Sequence, residues 1–450
     1  MRDLVILLVF LTYLSVGMLV PFVAALGYIW VDTFYPQTIS YYLLSSIPVS
    51  LIIAVVALGS YFLFDRRAAP RPGLHLALTV AMFVWATLTC FWAVLPDNAW
   101  SKWNWASKTI GFSAFIPFFF RSRIQIEAFV LTWVCSAIIH IAPVGLKTLY
   151  SGGGYGQELG VMSGNALLSE GSTLATVCAA FVPFLLWARR HSVLVPERLR
   201  GPGFLGYAAL AMPAAIGTYA RTALIAFGIS ALGSLMRARR KAPGVILLIF
   251  AVMAGAAITG KKWDERMHTT ETYSEDTSAL TRLEMWQWTF DFVKDHPLGG
   301  GFELYRTSRI ETPIGNGQMM TQIGRAYHNS FFEVLGETGW IGLLLFISIC
   351  ARTLVSMQRL RRQTKDVEAF TWARDLAGAV QVGLLSVMAG GFFVGIAFQP
   401  IFWYIFAMGE CVSQHVRRAV LGGVPAPVGA PGIAGLANPS SPAPVPASIA

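Results

Sequence analysis

Apolar residues dominate the chain in long runs, and short basic clusters punctuate the runs at fairly regular intervals. A helix that crosses a bilayer needs about 20 mainly apolar residues. Runs of that kind lie near 4–31, 40–64, 74–94, 106–120, 124–142 and 172–188. They recur near 203–219, 221–236, 244–260, 327–350, 373–395 and 400–416. The pattern predicts an all-α polytopic integral membrane protein with about twelve transmembrane helices. The first run contains Pro21 and reads either as one kinked helix or as a tight hairpin of short ones. It also imitates a signal peptide, but the apolar run that follows and the basic cluster beyond it favour a retained anchor. The run 203–236 is too long for one crossing and just long enough for two that meet near Gly217.

The basic clusters give the sides. Arg66, Arg67 and Arg71, then Arg121 and Arg123, then Arg189 and Arg190 fall at alternate junctions, as do Arg237 to Lys241, Arg359 to Lys365, and Arg417 with Arg418. Cytoplasmic loops carry the excess of Lys and Arg, so both termini are expected in the cytoplasm. The chain then divides into an N-terminal membrane segment (1–39), a transmembrane bundle (40–260), a long periplasmic loop (261–326), C-terminal transmembrane helices (327–416) and a disordered Pro/Ala-rich cytoplasmic tail (417–450). A Gly-rich stretch near 143–171 is expected as a second outer loop.

Composition narrows the class. Of 450 residues, 55% are hydrophobic and 13% charged, about half the usual share of roughly 25% charged. That excludes a soluble enzyme, a disordered protein and a secreted disulfide scaffold. The net charge of +10 sits in the loop clusters, so it reports topology and no nucleic-acid partner is implied. The five cysteines lie in apolar runs without paired ligand spacing, which suggests neither a metal site nor a disulfide framework.

Few residues are left to carry chemistry. Arg221 follows Gly217-Thr218-Tyr219-Ala220 between two apolar stretches. An arginine at membrane depth is costly, so it faces a cavity or a partner, or else snorkels to the interface. A planar guanidinium facing inward would suit phosphate oxygens. Arg282 falls near the start of an expected amphipathic helix, Thr281 to Lys294, with Leu283, Trp286, Phe290 and Val293 at helical spacing. The aromatics would seat that helix on the membrane surface or on neighbouring helices. A cation in the first turn is disfavoured by the dipole, so Arg282 calls for a partner such as Glu284, Asp276, water or a ligand. The segment His296-Pro297-Leu298-Gly299-Gly300-Gly301 reads first as a helix stop and turn, and second as a phosphate cradle, although it lacks the Lys-Ser or Lys-Thr of a P-loop.

The most informative stretch is Arg325-Ala326-Tyr327-His328-Asn329-Ser330-Phe331-Phe332-Glu333. Ser330 and Glu333 have capping-box spacing, with Asn329 in support. His328 would sit just before a helix N-terminus, where the positive end and nearby arginines hold an imidazole neutral. That is the form a general base needs, although an interfacial histidine is also a common ordinary polar residue. Two arginines and a histidine at one outer face would bind a diphosphate and take a proton from a hydroxyl, with no metal, nucleotide or other cofactor.

Three segments resemble the bacterial O-antigen ligase superfamily, which also holds O-antigen polymerases and O-oligosaccharyltransferases. They are Gly217 to Arg221, Thr281-Arg282 to Trp286 with His296 to Phe302, and His328-Asn329-Ser330 with Gly336-Glu337-Thr338-Gly339-Trp340-Ile341-Gly342. The resemblance covers most of 40–416. The opening Met1-Arg2-Asp3, Pro21 and the Trp30 to Pro36 stretch also resemble a subgroup of O-glycosylation ligases associated with exosortase systems. Where that subgroup has a run like Asp-Asn-Asn before the span at 172–188, this chain has Ser169-Glu170-Gly171-Ser172; if the run contacts substrate, donor or acceptor preference differs here.

The resemblance implies a membrane glycosyltransferase whose donor is an undecaprenyl-pyrophosphate-linked glycan and whose acceptor is a hydroxyl of a glycan, lipid or protein. It implies Arg221 and Arg282 on the diphosphate and His328 on the acceptor hydroxyl, with Asn329, Tyr219 and Gly300 in support. A polymerase of the superfamily is the nearest rival. A transporter of the same lipid-linked sugar is a rival of another class, although transporters bind near the midplane and these residues gather at the outer face. A structural scaffold would leave Arg221 and His328 without a role.

Overall fold

The computed structural model of the protein describes residues 2–67, 73–151, 170–218, 220–237, 275–313 and 319–421. The expected span at 244–260, the tail beyond Leu421 and parts of the 143–171 and 261–326 loops lie outside the described residues. The helices run α1 (Arg2–Leu19), α2 (Pro21–Phe34), α3 (Pro36–Ile39), α4 (Val49–Phe64), α5 (Leu74–Thr89), α6 (Pro96–Phe119), α7 (Arg123–Ser151), α8 (Gly171–His191), α9 (Glu197–Ile216) and α10 (Arg221–Arg237). After them come α11 (Glu275–Asp295), the antiparallel strands β1 (Arg309–Pro313) and β2 (Met319–Ile323), α12 (Ser330–Gln363), α13 (Thr371–Gly391) and α14 (Pro400–Leu421).

Among the described residues, five helices are long and apolar enough to cross a membrane by themselves: Arg2–Leu19, Leu74–Trp92, Arg123–Tyr150, Gly171–His191 and Ser330–Gln363. Pro21–Phe34, Val49–Phe64 and Thr222–Met236 are shorter apolar helices. The chain is a multi-pass helical membrane protein. Its centre is α14, in which every residue from Pro400 to Val412 is buried, together with α8, buried without a break from Thr173 to Phe181. A helix apolar all round has no face to give to solvent and fills the middle of a bundle. Trp133 of α7 closes the packing, edge-on to Phe181 and Phe184 of α8 and to Tyr404 of α14.

The first apolar run is a hairpin. Val20 is extended, and Pro21, which needs no intrahelical donor, opens α2. A methyl on Gly17 would come within 2.6 Å of the Ala24 Cβ, and Tyr13 meets Trp30 at 5.6 Å, so the two helices run antiparallel at close range. Asp3 at the open end accepts from Ser40 Oγ and from the Tyr41 and Tyr42 amides. This corrects the expectation that both termini lie on one side. The Phe34 carbonyl at the end of α2 meets His140, far along α7 from Arg123, whereas Arg418 of α14 donates to the Arg121 carbonyl. The hairpin adds a crossing, and Asp3 and Arg418 stand at opposite ends of the bundle.

Other boundaries move for local reasons. α6 starts ahead of the expected residue 106 because Pro96 and Asp97 form a favourable first turn. α7 continues through Pro143 to Ser151, since neighbouring helices tolerate a proline within the bilayer. The break expected near Gly217 is found there, between α9 and α10. One end of the bundle is basic: Arg67 reaches the Phe118 and Phe119 carbonyls, and Arg123 donates to the His191 carbonyl.

At the other end a buried ion group holds four segments together. Lys102 of α6 bonds Glu333 Oε1 at 2.8 Å and Glu337 Oε1 at 2.9 Å, both on α12. Glu337 also accepts from the Glu303 amide, and Glu333 Oε2 accepts from the Ala397 amide in the segment between α13 and α14. Phe302 and Phe398 flank the ammonium at 5.6 and 5.2 Å. Removing one partner of such a buried group strands charges without water. Lys102→Ala is therefore expected to destabilise the detergent-solubilised protein by about 3–5 kcal/mol, read as a fall in the thermal midpoint. Lys102→Met combined with Glu333→Gln and Glu337→Gln should recover part of the loss.

Candidate functional site

The site is assembled where the loop helix, a glycine turn and the start of α12 meet. α11 turns Thr281, Met285, Thr289 and Val293 inward at a spacing of four residues. Its Trp286 stacks on Phe332 at 5.2 Å and donates Nε1–H to the Tyr327 carbonyl at 2.9 Å, immediately before His328. The expected apolar stripe is only half right. Trp286 and Val293 face inward, while Leu283 and Phe290 are exposed on the outer side of the helix. Because α11 begins at Glu275, Arg282 lies two turns in, and the dipole no longer bears on it.

The glycine turn is spliced into a break in α12. Gly339 has φ of 66° with ψ of −168°, so Trp340 N–H leaves the helix ladder and donates to the Pro297 carbonyl at 3.1 Å. The Gly336 and Glu337 carbonyls are taken by the Gly300 and Gly301 amides, each at 3.0 Å. Gly299 and Gly301 have φ of 84° and 81°, and a Cβ on Gly339 would stand 2.3 Å from the Pro297 oxygen. The amides of a would-be phosphate cradle are thus already spent, Gly300 and Gly301 on α12 and Gly299 on the His296 carbonyl. Gly300 supports the site by holding this splice.

The splice fixes the first turn of α12, and His328 sits directly before it. Asn329, not Ser330, is the N-cap: its Oδ1 accepts from the Phe331 and Phe332 amides at 2.8 and 3.2 Å. The expected capping box does not form. Ser330 instead donates to the Val394 carbonyl and accepts from the Ile396 amide, and Glu333 is engaged by Lys102. His328 itself is left-handed, with φ of 47°. A non-glycine residue held there is strained, and such residues gather at functional sites.

The imidazole side chain is 34% exposed, so a substrate can reach it. Its Nδ1 stands 3.9 Å from Glu170 Oε1, the residue that precedes α8. Burial, then the positive charges of Arg282 and Arg325, push the His328 pKa down to about 4. The ring is neutral at pH 7, as the sequence suggested. Burial raises the Glu170 pKa, against the opposing pulls of a Thr173 hydrogen bond and of Arg282. Arg282 thus bears on both His328 and Glu170, and Arg325 bears on His328.

Arg221 opens α10, and its side chain and Tyr219 lie outside the described residues. The backbone nevertheless brings its helix to the same place. A methyl on Gly171, next to Glu170, would come within 3.2 Å of the Thr218 Cβ, just ahead of α10. No sequence pattern singles out Lys102, Glu170 stands only as a departure from the subgroup's run, and Glu333 has capping-box spacing. Glu170 and Lys102 were each visible as charges bordering apolar runs, but nothing in the sequence pairs them with residues so far along the chain.

The described residues of this multi-pass helical membrane protein thus bring Arg282, Arg325, Glu170 and a left-handed His328 to one end. The O-Antigen ligase family matches residues 206–347, the stretch that carries Arg221, Arg282 and His328. Over that stretch, about a third of the chain, the sequence is similar to the O-antigen ligase family. Residues 1–193, which carry Lys102 and Glu170, match a family of unknown function (DUF5935). No curated protein and no solved structure matches the chain.

Two substitutions separate cap from strain. Asn329→Ala is expected to lower stability by about 1 kcal/mol through loss of the cap. His328→Gly relieves a left-handed residue of about 1–2 kcal/mol, so its thermal midpoint should equal or exceed the parent's; a marked fall would show that the imidazole holds the fold.

Proposed function

We propose that this protein transfers a glycan from undecaprenyl pyrophosphate to an acceptor hydroxyl, as a ligase, at the periplasmic face of the bacterial inner membrane. The observation that carries the reading is a neutral, strained and accessible His328 flanked by Arg282 within an O-antigen ligase domain. In this reading Arg282, with Arg221, binds the diphosphate. The hydroxyl oxygen attacks the anomeric carbon, the bond from that carbon to the diphosphate oxygen breaks, and the electron pair leaves with the phosphate. Arginines aimed at the growing charge lower the barrier without being consumed. His328 accepts the hydroxyl proton.

The orientation follows from the charges. The basic end, with Arg67, Arg121, Arg123 and Arg418, is the cytoplasmic one under the positive-inside rule. The site end then faces the periplasm, with α11 on the membrane surface and its exposed Leu283 and Phe290 toward lipid. The acceptor is a hydroxyl of lipid A core, of protein Ser or Thr, or of a polysaccharide.

The test follows the lipid-linked glycan in cells with the parent protein, a deletion, or His328→Ala. Both defective strains should accumulate full-length undecaprenyl-pyrophosphate glycan on the outer face and lose the mature conjugate. Accumulation of single repeat units would make the protein a polymerase, and accumulation confined to the cytoplasmic face would make it a transporter. A second expectation concerns pH. With its folded pKa at about 4, His328 is already deprotonated at pH 6, so turnover should stay flat between about pH 5.5 and 8. It should fall only on further acidification; an inflection near pH 6.5 would mean an ordinary histidine.

A further inference from the structure

Resting on the reading of His328 as the proton acceptor, we propose that Glu170 is its positioning residue. Its carboxylate turns Nδ1–H toward itself, leaves the Nε2 lone pair to the substrate, and balances the charge while the ring is protonated. Nothing in the family resemblance assigns this position, where the chain departs from the pattern around it.

Three observations carry the proposal. The first is which nitrogen faces the acid. Glu170 Oε1 stands 3.9 Å from Nδ1, beyond hydrogen-bond length and within ion-pair range. A neutral imidazole has one N–H and one lone pair, and the nitrogen that meets an acceptor fixes the tautomer. The second is the field. Arg282 and Arg325 both oppose a positive charge on His328, so an imidazolium formed there needs a negative neighbour. Glu333, the other acid whose field reaches Glu170, is committed to Lys102 and the Ala397 amide. The third is anchorage. Glu170 is the residue from which α8 starts, its Oε2 accepts from Thr173 Oγ1 at 3.4 Å, and Gly171 is pressed against Thr218. One carboxylate oxygen is thus tied to the helix while the other faces the ring.

The proton balance is simple. The acceptor hydroxyl gives its proton to Nε2 as its oxygen bonds the anomeric carbon, and the diphosphate departs with the electron pair of the broken bond. The Nδ1 proton stays on the ring, hydrogen-bonded to Glu170, and the ring later returns one proton to water.

The experiment uses membrane vesicles holding the full chain and their own radiolabelled undecaprenyl-pyrophosphate glycan, and reads release of undecaprenyl pyrophosphate. Carboxylates that orient a working histidine typically matter about 10- to 100-fold. Glu170→Ala and the isosteric but uncharged Glu170→Gln should both lose turnover on that scale with donor KM little changed, while Glu170→Asp retains part of it. Added formate should restore part of the Glu170→Ala activity and nothing in His328→Ala. Wild-type turnover in Glu170→Ala beside an inactive His328→Ala overturns the Glu170 assignment alone. Full activity in Glu170→Gln, without formate rescue of Glu170→Ala, also overturns it and leaves a structural role at the start of α8. An active His328→Ala overturns the base reading on which the proposal rests.

Discussion

Everything at the working end of this protein depends on one ammonium group buried among carboxylates. Lys102 draws Glu333 and Glu337 of the same helix face to α6, and those acids in turn hold the Glu303 and Ala397 amides. A buried charge group is a poor source of net stability, because desolvating the ions costs about as much as their attraction returns. Its value lies in uniqueness, since few alternative arrangements satisfy all the partners at once. Four segments from distant parts of the chain thereby share one registration. The first turn of α12, capped by Asn329 and holding Glu333, lies within it, and His328 directly precedes that cap.

The glycine splice completes that registration from the loop side. A continuous helix offers no free carbonyls in its middle, but the break at Gly339 releases those of Gly336 and Glu337, and the Gly300 and Gly301 amides take them. Trp85 and Trp92 add indole N–H bonds to the Thr338 and Gly299 carbonyls. Loop and membrane helix are thus joined by the backbone itself, which no side-chain pattern announces.

That difference explains what was legible in advance. Apolar runs and basic clusters are local signals, so the membrane class, the break near Gly217, the loop helix and the neutrality of His328 could be read from the chain. Pro21 permitted a kink or a hairpin, and only the fit of Gly17 against Ala24 decides between them. Ser330 and Glu333 had capping-box spacing, but tertiary partners outbid the local pattern for both side chains. Glu170 meets His328 across a long stretch of sequence, and one sequence holds no trace of such a meeting. The site also straddles the two matched regions, with Glu170 and Lys102 in one and Arg282 and His328 in the other.

The break in α12 has a mechanical side as well. Residues 330–338 are fastened to the loop, the glycine turn and α6, whereas the part beyond Gly339 runs on as a long helix whose Leu344 and Ile347 look outward toward lipid. The two halves therefore have separate bearings. At the joint Gly339 takes a backbone conformation that side-chain-bearing residues rarely adopt, and Trp340 N–H turns to the Pro297 carbonyl, so α12 changes course where the loop grips it. The start of α12, with His328 before it, is thus registered to the loop by backbone bonds made on both sides of Gly339, a clasp rather than a simple end-to-end join.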